Sequence, residues 1–200
     1  MTRRQVSRAT YWIDALHPCV EAVSGARWAI EGAANPTVLR VHVDVALTDE
    51  TIVTCPPAEA PEPIDRLLEI GGIRSLDIHR YRVRLNLRPD ADPTEMRRHA
   101  AEVLEAAWGP AAPLAPDAGP RAFQASVAGI RTVAESPAMA AGHVVLEAVF
   151  GVDGVSEAIA GDGMVLVRLG RLFDWDERQE AVQFGLAGVS GMPGSTSGPA

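Results

Sequence analysis

Tyr81-Arg82-Val83-Arg84-Leu85-Asn86-Leu87 is the stretch on which the fold turns. Val83, Leu85 and Leu87 alternate with polar residues at period two, the pattern of a strand buried on one face only. The pattern returns 82 positions later as Gly163-Met164-Val165-Leu166-Val167-Arg168-Leu169. Working outward keeps that offset. Upstream, Ile70-Gly71-Gly72-Ile73 answers Val152-Asp153-Gly154-Val155; downstream, Asp92-Pro93-Thr94-Glu95 answers Asp174-Trp175-Asp176-Glu177. Self-similarity at a fixed spacing marks a repeated structural unit.

Each repeated piece has a local physical reading. Asp-x-x-Glu places an N-cap carboxylate three residues ahead of a glutamate, an arrangement that satisfies free amides at a helix start, and Pro93 stands where proline is tolerated. Helices are therefore predicted to begin after Asp92 and Asp174. Met96, Ala100, Val103, Leu104 and Ala107 form one apolar stripe over residues 93 to 108. Gly71-Gly72 and Asp153-Gly154 supply positive φ and so read as helix stops feeding strands. In Val38 to Val45, Leu39, Val41, Val43 and Val45 share one face, and Arg40, His42 and Asp44 the other.

The predicted fold class is α+β. Two tandem two-layer units each run strand, strand, helix, strand, strand, helix, with a mostly antiparallel sheet and helices on one face. Gly109-Pro110-Ala111-Ala112-Pro113-Leu114-Ala115-Pro116 cannot hold a regular helix or a central strand, because proline lacks a donor and fixes φ. Residues 109 to 119 read as a linker between one unit at 26 to 108 and another at 120 to 187. Residues 1 to 25 form an N-terminal extension, and 188 to 200, rich in Gly, Ser and Pro, a disordered tail.

Of the 200 residues, 47% are hydrophobic and 22% charged, which suits a globular chain. The formal net charge of -8 argues against nucleic acid, since phosphate binding relies on basic residues releasing counterions. All 18 basic residues are arginine. Arginine suits bidentate carboxylate recognition, although a GC-rich genome also favours it. No apolar run approaches the roughly 20 residues of a membrane span, and no secretory pattern opens the chain, so a cytoplasmic location is expected. Arg3, Arg4 and Arg8 precede the first acid, Asp14, which fits a solvated bacterial N-terminus or an organellar transit peptide.

Asn35-Pro36-Thr37-Val38-Leu39-Arg40-Val41 resembles the Asn-Pro-x-x-Leu-Lys-Phe opening of the N-terminal domain of the NifU/Nfu iron-sulfur scaffold proteins. Further resemblances follow in order: Pro63 to Ile73 and Ser136-Pro137 to Val155 to the helix segments, and Asp174-Trp175 to the closing signature. The likeness covers about Ala26 to Trp108 and Pro120 to Leu186. The second copy departs from it, with Asp117 and Ala118 where Asn-Pro would stand and extra residues in Ala138-Met139-Ala140-Ala141-Gly142-His143; the first has Pro93 in place of the Trp. The family's cluster-binding Cys-x-x-Cys belongs to a C-terminal domain that this sequence does not contain. The resemblance implies a place in iron-sulfur protein maturation, with maturation factors or clients as protein partners, and no cluster chemistry by one chain.

The candidate protein-binding residues are Arg80, Arg82 and Arg84, expected with Arg88 as a guanidinium row on the open sheet face of the first copy, and the Asn35-Pro36 loop. The bland readings are a solvated face balanced by carboxylates and a turn ahead of a strand. The second copy has Met164, Leu166 and Arg168 at the outward positions, from which a covered face is expected. No catalytic residue, cofactor or metal site is expected. Cys19 and Cys55 are too few for a zinc or cluster site in one chain. His17, His42 and His79 show no ligand spacing, and the Asp174-Asp176-Glu177 group is explained by the cap. Trp12, Trp28, Trp108 and Trp175 read as core or interface anchors.

No phosphate loop, G-x-S-x-G elbow or H-E-x-x-H occurs. A non-enzymatic adaptor is the leading expectation. Two alternatives stay open: a metal or cluster carrier using Cys19 or Cys55 from two subunits of a homodimer, and an enzyme with a cleft between the copies. The oligomeric state is not fixed by these residues.

Overall fold

A computed structural model describes residues 26–54, 63–114, 116–127 and 131–189. The chain divides into two compact units, one ending at Ala115 and the next beginning at Pro116. The expected extension at residues 1 to 25, with Trp12, His17 and Cys19, lies outside the described residues, as does Cys55.

The first unit contains β1 (Trp28–Gly32), β2 (Val38–Val43), β3 (Ile52–Thr54), α1 (Ile64–Leu68), β4 (Ile73–His79), β5 (Arg82–Leu87) and α2 (Pro93–Trp108). Its sheet order is β1-β2-β5-β4-β3, antiparallel throughout. The second unit contains β6 (Arg121–Gln124), β7 (Thr132–Ala134), α3 (Pro137–Ala140), α4 (Val144–Phe150), β8 (Val155–Gly161), β9 (Met164–Leu169) and α5 (Trp175–Val189). Its order, β6-β9-β8-β7, repeats β2-β5-β4-β3 strand for strand. The α+β class is what the alternating strand pattern and the capped helix starts imply.

The likeness extends to details that strand order alone does not require. β4 and β5 shift register between Ile73 and Ser75, and β8 and β9 shift between Val155 and Glu157, the same place 82 residues on. Leu39 pairs with Leu85 and Val41 with Val83; correspondingly Arg121 pairs with Val167 and Phe123 with Val165. Asn35 Oδ1 accepts the Thr37 amide at 3.0 Å, and Asp117 Oδ1 accepts the Gly119 amide at 2.9 Å. The helix starts match as well. Asp92 Oδ1 accepts the Thr94 amide at 2.8 Å and Asp174 Oδ1 the Asp176 amide at 2.9 Å.

Each unit has its own core. In the first, Leu39, Val41, Val43, Leu76, Val83 and Leu85 face Ile64 and Leu67 of α1 and Met96, Ala100 and Leu104 of α2. Val103 and Ala107, also on the predicted stripe, are partly buried against it. In the second, Val165 and Val167 face Leu146 and Val149 of α4 and Val182 and Leu186 of α5. Trp28, Trp108 and Trp175 are all buried in these cores. Apolar burial of this kind is the main favourable term in folding.

Three expectations need correction. The first unit has a third strand before its helix: β1 pairs with β2 from Trp28↔Val43 to Gly32↔Leu39. Trp-Ala-Ile-Glu-Gly is too short and too mixed to announce itself as a strand until β2 offers it a ladder. The 109–119 segment, which contains the boundary between the units, is tied down at both ends: the Trp28 Nε1–H donates to Gly109 O at 2.7 Å and the Ala112 amide to Trp28 O at 2.7 Å. At its other end the Trp175 Nε1–H donates to Gly119 O at 3.4 Å. The helical stretch expected over Ser136 to Val155 is broken into α3 and α4 at Gly142, which has φ of +82°. Lastly, α5 continues through Gly188 to Val189, two residues into the predicted tail.

The caps carry a prediction. Asp92→Ala removes the side-chain acceptor at the start of α2 and is expected to cost about 1 kcal/mol, with Asp92→Asn costing a few tenths. Urea midpoints of the two variants check this; equal losses would mean that the acceptor does not matter.

Candidate functional site

With α1 and α2 packed on the Leu39-Val41-Val43 side, the other face of the first sheet is lined by alternate residues: Glu31 from β1, Arg40 and His42 from β2, Arg82, Arg84 and Asn86 from β5, and Ser75, Asp77 and His79 from β4. Period-two alternation puts them there, since every second residue of a strand points the same way.

Register decides which charges meet. Arg40 lies directly opposite Arg84 across β2 and β5, and Arg82 stands between His42 and His79. The nearest carboxylates sit on the far sides. Glu31 Oε2 is 3.7 Å from Arg40 Nη1, and Asp77 Oδ2 is 3.8 Å from Arg84 Nε. Both distances exceed a hydrogen bond. The carboxylates have closer partners: Glu31 Oε2 lies 3.1 Å from His42 Nε2, and the Asn86 Nδ2–H donates to Asp77 Oδ2 at 3.2 Å. Arg40 and Arg84 thus occupy directly opposed positions, with nearly half of each side chain exposed. Like charges directly opposed in a sheet are destabilising. A carboxylate placed between Arg40 and Arg84 would relieve the repulsion and gain charge-assisted hydrogen bonds.

The predicted row is therefore redrawn. Arg82 and Arg84 lie on β5 as expected, while Arg80 sits with Tyr81 in the two-residue turn between β4 and β5 and Arg88 lies beyond the strand. The turn forms where it does because Tyr81 is buried and its carbonyl accepts the Val43 amide at 3.1 Å, while Arg80 O accepts the Leu47 amide at 2.7 Å. The Arg80 guanidinium lies 5.3 Å from the centre of the Tyr81 ring. Arg40, which belongs to the pair, comes from another strand; its place on the polar side of Val38 to Val45 is visible in the sequence, but its partner is not.

Asn35 and Pro36 are exposed in the turn joining β1 to β2, at the opposite end of β2 from Arg80. The structure does not bring this loop to the arginines. The Asn35 side-chain oxygen is engaged by its own turn, accepting both the amide and the hydroxyl of Thr37 at 3.0 and 2.8 Å. Such an Asx turn sets up the chain direction for β2. Comparison of the chain with protein-family models, with curated proteins and with solved structures finds no match.

In the second unit the middle of the same face is apolar. Ala122, Leu166, Ile159 and Val133 form one cross-strand row at the positions held by Arg40, Arg84, Asp77 and Val53 in the first. The expectation that this face is covered fails at its ends, where Met164 is 46% exposed and Val133 44%. Among the described residues no cluster of His, Cys, Asp or Glu could hold a metal ion, and no helix is long and apolar enough to cross a membrane. A shallow cleft lies between the end of α1 and α2, lined by Arg66, Ile70, His99, Glu102 and Val103.

Asp117, the counterpart of Asn35, gathers two arginines of the second unit, Arg168 and Arg171. Its Oδ2 is 3.3 Å from Arg168 Nη1 and 3.6 Å from Arg171 Nη1. The Gly119 amide first, and then the two guanidiniums, hold the Asp117 carboxyl below its ordinary value of 3.8, against an opposing effect of burial. A depressed folded-state pKa contributes stability that is fully present above the unfolded value and is lost as the pH falls through the folded one. The side chain is half exposed, so solvent keeps the effect small. Asp117→Asn preserves the turn and removes the charge; stability curves of variant and wild type are expected to differ at neutral pH and converge below pH 3.8. A gap that stays constant down to pH 2 would refute this assignment.

Proposed function

We propose that the chain is a non-enzymatic binding or adaptor protein, connected with iron-sulfur protein maturation, whose first unit presents its open sheet face to an acidic segment of a protein partner. The opposed Arg40-Arg84 pair carries this reading, because a sheet that sets two arginines at directly opposed positions gains most when a third party supplies the carboxylate. Electrostatic complementarity of this kind speeds encounter and sets register. The connection with maturation factors or clients rests on the sequence resemblance in Asn35-Pro36 to Val41 and in Asp174-Trp175.

The experiment is a pull-down from the source cell with wild type and with Arg40→Glu/Arg84→Glu. Recovery of an iron-sulfur maturation factor or client by wild type, reduced at least tenfold by the double reversal and weakened by salt, is the expected outcome. Equal recovery by both proteins would remove the face from the reading; recovery of no maturation factor or client by either would remove the adaptor role.

A further inference from the structure

Among the described residues the second unit has no counterpart of β1, and the outer edge of β6 is shaped to receive one. In the first unit the even-numbered residues of β2 turn their backbone groups toward β1: the Ala33 amide donates to Val38 O at 3.3 Å and the Asp44 amide to Arg27 O at 3.1 Å. Odd-numbered ones turn toward β5, as the Val43 amide does to Tyr81 O. The second unit repeats this, with the Ala125 amide donating to Gly163 O at 3.0 Å. Ala122 and Gln124 of β6 correspond to Arg40 and His42, so their backbone groups point away from β9. Both residues are exposed, and β6 ends its sheet.

The segment that would fill this edge at the 82-residue offset is Pro110-Ala111-Ala112-Pro113-Leu114. Pro110 and Pro113 have no amide hydrogen to offer a ladder, and the Ala112 amide is already given to Trp28 O. The second unit has therefore lost its own first strand, and nothing in its fold replaces it among the described residues.

We propose that the outer edge of β6 accepts an extended segment of a partner protein as a fifth, antiparallel strand, by β-augmentation. The surroundings state the chemistry of that segment. On the open face it meets Ala122 and the row Leu166, Ile159 and Val133, so residues pointing there are apolar. On the helix side it meets Phe123 and Arg121, whose guanidinium lies 5.1 Å from the Trp175 ring centre and donates to Gln179. An apolar residue opposite Phe123 and an acid opposite Arg121 complete the strand. β1 has a different pattern, with Trp28 and Ile30 on the core side and Glu31 set against Arg40 and His42. The two edges thus select different strands. This surface is separate from the Arg40-Arg84 face, and either proposal stands or falls alone.

The probe is a fluorescent peptide of residues 26–33 carrying Ala29→Val, Glu31→Val and Gly32→Asp, which puts the acid opposite Arg121; its twin carries Gly32→Arg instead. Full-length wild type is expected to bind the acidic peptide at least tenfold more tightly than the basic one. Ala122→Pro removes an outward amide without touching the β6–β9 ladder, and is expected to lower affinity at least tenfold at unchanged melting temperature. Should that variant melt early, Arg121→Glu decides, because it should reverse the preference between the peptides. Binding of neither peptide by wild type, equal binding of both, or a concentration-dependent dimer abolished by Ala122→Pro, which would make a second copy the occupant, each overturns the proposal.

Discussion

Leu104→Ala is expected to destabilise the first unit by about 2–5 kcal/mol, and Leu186→Ala the second by a similar amount. The two leucines are counterparts at the 82-residue offset, on the closing helices α2 and α5, and both are buried. Deleting either removes the transfer free energy of three carbons and leaves a cavity that a close-packed interior refills only in part. Since each core cluster draws only on its own unit, the loss should appear where the mutation is. Hydrogen exchange gives the readout. Leu104→Ala should raise exchange chiefly in β2, β4 and β5, and Leu186→Ala chiefly in β6, β8 and β9. Equal loosening of all strands by either variant would contradict separate cores.

Gly154→Ala is expected to cost about 2–4 kcal/mol, more than the same change at its counterpart, Gly72. Gly154 has φ of +93°, a conformation that strains any residue with a Cβ, and an added Cβ would stand 2.6 Å from the Phe173 ring. Phe173 is a rigid neighbour wedged against the core. At Gly72 φ is not positive, and the added Cβ would meet the Met96 sulfur, on a flexible side chain that can turn aside, and the Ala91 Cβ at 3.0 Å. About 1 kcal/mol is expected there. Urea denaturation of the two variants side by side tests the difference; a Gly72→Ala cost equal to or above that of Gly154→Ala would show that neighbour flexibility and φ do not govern these turns.

The repeat was legible because its signals are local. A cap needs an acid two or three residues ahead of the amides it serves, and a half-buried strand needs alternation along one chain; both survive duplication as spacing in the sequence. For this reason Asp92 and Asp174, or Val83 and Val165, could be matched before any pairing was known. Arg40 opposite Arg84 could not. Alternation makes both outward residues, but 44 positions separate them, and only the β2–β5 register sets one beside the other. Arg80 leaves the row for a related reason: its alternation with Arg82 continues the strand pattern, and only burial of Tyr81 and the Leu47 amide's bond to Arg80 O mark the turn.

The amino-acid sequence alone determined most of the elements, their faces and the 82-residue duplication, since these follow from backbone geometry and side-chain polarity over a few residues. Tertiary structure decided which strands become neighbours, that Trp28–Gly32 joins the first sheet while its proline-bearing counterpart adds no strand to the second among the described residues, and which arginines stand at opposed positions. Those outcomes depend on burying apolar faces of distant segments together and on satisfying every buried backbone group, conditions that the whole chain must meet at once.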